Sequence, residues 1–294
     1  MLRGHAPPIA YQGTPGSCML ARVHLLGAIA AACAVLLGLG YMAAAGAPMR
    51  LLAINAAALA AGLVLLTAGL RVARMRLPWD VLMLAASLAL LATALSGLRI
   101  EGAARWAPAG PLVVQPSLIV LPAMIVGFAR SPGMLATVAM LGAALALALQ
   151  PDRAMAGVLA AGMAALAFFR PEGRVLAVLA ASLAAFGVTL WLPDRLPAVP
   201  FVDQVYVTAF AVHPLAGAAV VGGAILLLLP VLAGWRSGSD RRESVLVFGA
   251  VRFAIALAAA LGNYPTPLVG YGGSAILGYL LSLVPLPGQR VPSR

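Results

Sequence analysis

Residues 105–117 read RWAPAGPLVVQPS, a polar, proline-broken stretch set between two long apolar runs. It holds Arg105, Trp106, Gln115 and Ser117, interrupted by Pro108, Pro111 and Pro116. A plain connector between two helices needs only a turn former and a few polar residues. The run before it, near 79–98, and the run after it, near 113–129, each approach the roughly 20 apolar residues that cross a bilayer as a helix.

The same alternation extends along the whole chain. Of its 294 residues 63% are hydrophobic and only 9% are charged, with mean hydropathy +1.03. A soluble domain of this size has no way to bury so much apolar surface, so its solvent is lipid. Ten apolar runs lie near 24–45, 51–70, 79–98, 113–129, 132–149, 154–169, 174–193, 206–234, 244–262 and 271–286. The expected fold is all-α, a polytopic membrane protein of about ten transmembrane helices. The fourth and sixth runs are short, which leaves nine or eleven spans open.

The net charge of +11 would suit a nucleic-acid partner, but its distribution excludes one. All 19 basic residues are Arg, placed as short clusters between apolar runs rather than along one face. With the N-terminus inside, thirteen fall in cytoplasmic segments (Arg3, Arg22, Arg71, Arg74, Arg76, Arg130, Arg170, Arg174, Arg236, Arg241, Arg242, Arg290, Arg294) and five outside (Arg50, Arg99, Arg105, Arg153, Arg195). That bias predicts N-in and C-in. Residues 1–20 read as a disordered cytoplasmic segment, 21–287 as the membrane domain and 288–294 as a short cytoplasmic tail. The first apolar run has span length rather than signal-peptide length. Cys18 and Cys33 make no disulfide framework, and no P-loop, HExxH or CxxC pattern is present.

This topology puts the opening stretch outside, together with Gln150-Pro151-Asp152, the segment from Asp194 to Asp203, and NYPTPLVGYGGS at 263–274. Read from the residues alone, each has a structural role open to it. Asp203 and Asp152 are suited to cap the helices that follow, and Ser117 beside Pro116 marks a helix start. Trp106 fits an interfacial anchor, and Arg105 has Glu101 within reach for an ion pair. Arg252, inside a span, has an inner end to snorkel toward, and His213-Pro214 reads as a kink.

Three of these loops together resemble the SEDS family of cell shape, elongation, division and sporulation proteins, the FtsW/RodA/SpoVE group. RWAPAGPLVVQPS resembles the family's Arg-Trp, Gly-Pro-Leu, Gln-Pro-Ser run. QPDRAMA at 150–156 is similar to its Gln-Pro-Asp-Leu-Gly-Thr-Ala. PTPLVGYGGS at 265–274 is similar to its Pro-Leu-Pro-Phe-Ile-Ser-Tyr-Gly-Gly-Ser. The resemblance implies a glycosyltransferase that polymerises lipid II, or another polyprenyl-diphosphate-linked glycan, on the outer face of the bacterial cytoplasmic membrane. Its setting would be peptidoglycan synthesis in division, elongation or cell-shape control, with a transpeptidase partner. No cofactor is evident, and a divalent cation at the diphosphate is allowed by family analogy.

The resemblance places the catalytic Asp at Asp203, within LPAVPFVDQVYV. It assigns Arg105, Trp106, Gln115, Ser117, Gln150, Asp152, Tyr271, Gly272, Gly273 and Ser274 to the substrate cavity. A carboxylate there would act as base on the acceptor hydroxyl, and cations would steady the departing diphosphate. The chain also departs from the family. Leu118 and Leu121 stand where it has Glu and Lys, the loop before the eighth span is cut to about 12 residues, and His213-Pro214 replaces an acidic pair. A catalytically lapsed relative that binds a polyprenyl-linked substrate or a cell-wall enzyme is therefore the second expectation, and a lipid-linked precursor transporter the third.

Overall fold

The computed structural model describes residues 15–75, 78–110, 112–194, 196–236 and 242–287. The tail 288–294 and the first fourteen residues of the segment expected to be disordered lie outside the described residues. Helix α1 (Pro15–Ala44) starts within that segment.

Six helical segments are long and apolar enough to cross a membrane. They are Val23–Ala44 of α1, α2 (Met49–Arg74), α3 (Trp79–Ser96), α7 (Gly173–Trp191), Pro214–Trp235 and α11 (Arg242–Leu261). Four shorter apolar helices complete the bundle: α4 (Pro116–Arg130), α5 (Met134–Leu149), α6 (Arg153–Phe169) and α12 (Gly273–Leu283). The short helices are the buried ones. Eleven residues of α4 are buried, against three of the much longer α2. A helix covered by other helices need not match the bilayer, whereas one facing lipid must satisfy its backbone across the full thickness.

One close approach shows how sequence sets this packing. Pro122 lies inside α4 and has no N–H, so it leaves the Leu118 carbonyl without its helical donor. The backbone of α12 fills the gap at Gly278, where any Cβ would collide with the Leu118 oxygen. Helices α4 and α12 thereby pack backbone to backbone, as small residues permit in membrane bundles.

Two expectations are corrected. The run 206–234 is not one continuous helix. It divides into α8 (Val205–Val212), α9 (Pro214–Leu226) and α10 (Leu229–Arg236). His213 is fully extended at the break, and its Nδ1 accepts the Leu215 N–H at 3.1 Å, capping α9. Proline at the first position of α9 stops α8 from continuing, so the expected kink is a complete interruption.

The span placed near 113–129 begins later, at Pro116. The residues before it belong to an antiparallel ribbon of β1 (Leu98–Ile100), β2 (Ala103–Ala109) and β3 (Leu112–Val114). Glycines with positive φ sit in both turns, Gly102 at 85° and Gly110 at 60°. Trp106 pairs with Leu98, and Pro108 with Val113. The motif that looked like an elaborate connector is thus a small sheet at one end of the helical bundle. At the opposite end Arg170 pairs with Glu172 and Glu243, and Arg174 donates to the Pro132 carbonyl.

Candidate functional site

At the ribbon end a cavity of about 850 Å³ opens between α2, the ribbon, α6, α11 and α12. Its walls are mostly apolar, with Ile54, Ala58 and Leu277 among them. Of the residues expected at the site, Asp203, Arg105, Trp106, Gln115, Tyr271, Gly272, Gly273 and Ser274 line it. Ser117, Gln150 and Asp152 do not. They are fully buried behind the wall.

Asp152 explains why. It caps α6 by accepting the Met155 N–H at 3.3 Å. Its Oδ2 also accepts the Ser117 hydroxyl at 2.7 Å and the Gln115 amide at 3.0 Å. The Gln115 backbone N–H donates to the Ser274 hydroxyl at 3.0 Å. The starts of α4 and α6 therefore meet at one carboxylate, and the Gln115–Ser274 bond ties the start of α12 to them. Ser117 spends its hydroxyl on Asp152 rather than on capping α4, whose N-cap Gln115 makes no side-chain cap bond. Gln150 secures a different contact, donating to the Leu90 carbonyl at 2.7 Å.

Arg105 is also committed. Its guanidinium donates to the Pro151 carbonyl and, at 3.1 Å, to Asp194. The expected pairing with Glu101 is not made; Asp194 is the partner. Tyr264 donates its hydroxyl to the same Asp194 oxygen at 2.6 Å, and Arg105 lies over the Tyr264 ring. Burial would raise the Asp194 carboxyl, but the Tyr264 hydrogen bond and the Arg105 charge together hold it below the ordinary value. Burial and the bond to Asp194 push the Tyr264 phenol up.

Asp203 sits at the cavity wall, 7% exposed. It does not cap α8, whose N-cap is Gln204. Its Oδ2 accepts the Val199 N–H at 2.8 Å within its own loop. Burial raises its carboxyl above the ordinary value, and the Val199 hydrogen bond only partly opposes this. A carboxyl so placed is a better proton acceptor than a solvated one.

Sequence reasoning missed four residues. Arg50, in the first turn of α2, lines the cavity, is exposed and makes no ion pair or hydrogen bond with the described residues. Asn55 is buried in α2. It donates to the Gly270 carbonyl at 2.9 Å and accepts the Gly272 N–H at 3.1 Å, fixing the turn that presents Tyr271. Asn263 and Tyr264 bind the Asp203 loop from α11's end. A lone Asn in an apolar run was the available signal for Asn55.

Among the described residues, Asp203 is the one carboxylate on the cavity wall. Among the described residues no three His, Cys, Asp or Glu side chains are placed to hold a metal ion.

No protein-family model and no curated protein matches the chain. Solved structures share its fold. The Rod shape determining protein RodA of Thermus thermophilus is similar at TM-score 0.61 and 22% identity, over 87% of this chain and 92% of that one. A mutant of that protein gives TM-score 0.61 at 23% identity, over 87% and 93%. A chain from a structure describing coordination of polymerization and crosslinking by a peptidoglycan synthase complex gives 0.54 at 23% identity, over 94% and 97%. The protein has the RodA fold, an all-α polytopic membrane architecture, and the resemblance of its three loops to the SEDS family is matched by likeness of fold.

Proposed function

We propose that this protein is a SEDS-like membrane protein of cell-wall synthesis that polymerises lipid II, or a closely related polyprenyl-diphosphate-linked glycan. The observation that carries the reading is Asp203, a carboxylate held on the wall of an 850 Å³ cavity with apolar sides. In this reading Asp203 takes the proton of the acceptor sugar hydroxyl as its oxygen attacks the donor's anomeric carbon. The new glycosidic bond forms, and the bond to the polyprenyl diphosphate breaks with its electron pair leaving on the phosphate.

The departing charge needs cations or aimed amides. Arg105 is occupied with Asp194 and Pro151, so its role is to hold the wall. Among the described residues, Arg50 is the guanidinium left for the diphosphate. The start of α12 at Gly273 and Ser274, also on the cavity wall, adds a favourable helix terminus. The apolar wall suits a polyprenyl chain. The ribbon end would face outward from the bacterial cytoplasmic membrane, in agreement with the arginine bias, and a transpeptidase partner would use the strand produced.

A second reading is favoured by Leu118 and Leu121, which are buried and apolar at 6% and 0% exposure where family members carry charge. In it the cavity binds the polyprenyl-linked glycan without polymerising it. Purified protein in liposomes with lipid II separates the two. Polymer from wild type and none from a folded Asp203→Ala variant supports polymerisation. Saturable lipid II binding with no polymer, with or without candidate partners, supports the second reading. Polymer unchanged in Asp203→Ala overturns the mechanism.

A further inference from the structure

The loop from Asp194 to Gln204 carries the carboxylate on which the proposed function rests, and it is short. Helix α7 ends at Trp191 and α8 begins at Val205. Asp203 lies between two non-glycine residues in the left-handed region, Phe201 at φ 65° and Gln204 at φ 56°. Such backbone persists only where surrounding contacts impose it.

Those contacts come from the segment after α11. The Asn263 side-chain N–H donates to the Leu196 carbonyl at 3.0 Å. Its side-chain oxygen accepts the Gln204 amide at 2.8 Å. One amide group thus grips the loop on both sides of Asp203. Asparagine carries its donor N–H and its acceptor oxygen on separate atoms, so it can reach two partners that an aspartate, leucine or alanine there cannot hold together. Backbone bonds lie between the two grips. Thr266 N–H donates to the Val202 carbonyl at 2.9 Å, and Tyr271 N–H donates to the Phe201 carbonyl at 2.6 Å. Tyr264, next to Asn263, fixes the start of the loop through Asp194.

We infer that Asn263 is a positioning residue for Asp203: its amide fixes Leu196 and Gln204 and so sets the carboxylate against the cavity. The inference rests on the reading of Asp203 as base.

The test uses the full-length protein in lipid nanodiscs as wild type, Asn263→Ala, Asn263→Asp, Gln204→Ala and the Asn263→Ala/Gln204→Ala double variant. Amide hydrogen exchange reads the loop directly. In Asn263→Ala, peptides covering 196–204 exchange about tenfold faster, while the ribbon 98–114 is unchanged. Asn263→Asp, which keeps the acceptor and loses the donor, falls between. The double variant exchanges no faster than Asn263→Ala by more than a small factor, because both changes break the same clamp. Lipid II polymerisation gives the second readout: kcat falls about tenfold in Asn263→Ala with KM unchanged. Unchanged exchange in 196–204, a uniform rise across the protein, or faster exchange with unaltered kcat overturns the inference. If wild type makes no polymer, the function reading fails, and the exchange pattern alone decides whether Asn263 sets the Asp203 loop.

Discussion

The Arg105 guanidinium lies 3.1 Å from the Asp194 carboxylate, in the partition between two cavities. Arg105 lines the larger, and Asp194 lines a smaller one of about 530 Å³. Both charges are largely removed from solvent, at 4% and 13% exposure. Removing one member strands the other. Asp194→Asn is expected to cost about 2–4 kcal/mol, read as a lower Tm in detergent. The Asp194 carboxyl is held below its ordinary value, so its contribution is full above 3.8 and is lost as pH falls through the lowered folded value. Acid titration of Tm should show that loss in wild type and not in Asp194→Asn.

Asp203 behaves in the opposite sense. Burial raises its carboxyl, so the folded state favours the protonated form. The associated stability is present at acid pH and lost as pH rises through the raised folded value. At neutral pH the ionised carboxylate is a burden on the fold. Asp203→Asn is therefore expected to abolish polymer formation while leaving Tm equal to or above that of wild type. A fall in Tm together with activity would mean that Asp203 is a structural residue. The acid limb of the rate profile should lie above 3.8, because the base must be ionised to work.

Much of this was legible in the sequence because lipid imposes a strong pattern. Apolar runs of span length fixed the helices, and three polar loops marked the end where the cavity lies. What stayed hidden was pairing across distance. Nothing local to RWAPAGPLVVQPS shows that Arg105 meets Asp194, 89 positions away. Nor does it show that Gln115 and Ser117 turn inward to Asp152. The ribbon was hidden because its strands are short and proline-broken, with Pro108 facing Val113 across the pair. Asn263 was hidden because an Asn at a helix end reads as an ordinary turn former.

Asp152 separates a structural role from a binding one. It is fully buried, off the cavity wall, and accepts from Gln115, Ser117 and Met155. Asp152→Ala removes a cap and leaves buried donors unpaired, at a cost of about 2–4 kcal/mol. The expected signature is a lowered Tm. Lipid II affinity of the protein that remains folded should change by less than about threefold, within the scatter expected for a site it does not touch. A large loss of affinity without loss of stability would place Asp152 in the binding surface instead.

Arg252 lies halfway along α11 and does not reach either end of the helix, contrary to the expectation that it snorkels. It is 5% exposed, donates to the Ser282 hydroxyl at 3.3 Å, and lies 5.2 Å from the ring centres of both Phe248 and Tyr279. Its buried Nε has no hydrogen-bond partner among the described residues. Two aromatic faces and one hydroxyl offset only part of the cost of taking a guanidinium out of water. Replacement by a well-packed apolar side chain of similar length should then be neutral or stabilising, and truncation should not. Arg252→Met is expected to keep stability or raise it by up to about 2 kcal/mol, read as an equal or higher Tm. Arg252→Ala opens a void between α11 and α12 and should lose about 2–4 kcal/mol. Thermal unfolding of both variants in the same detergent checks the pair. If Arg252→Met falls as far as Arg252→Ala, the charge itself stabilises the bundle and the packing argument is wrong.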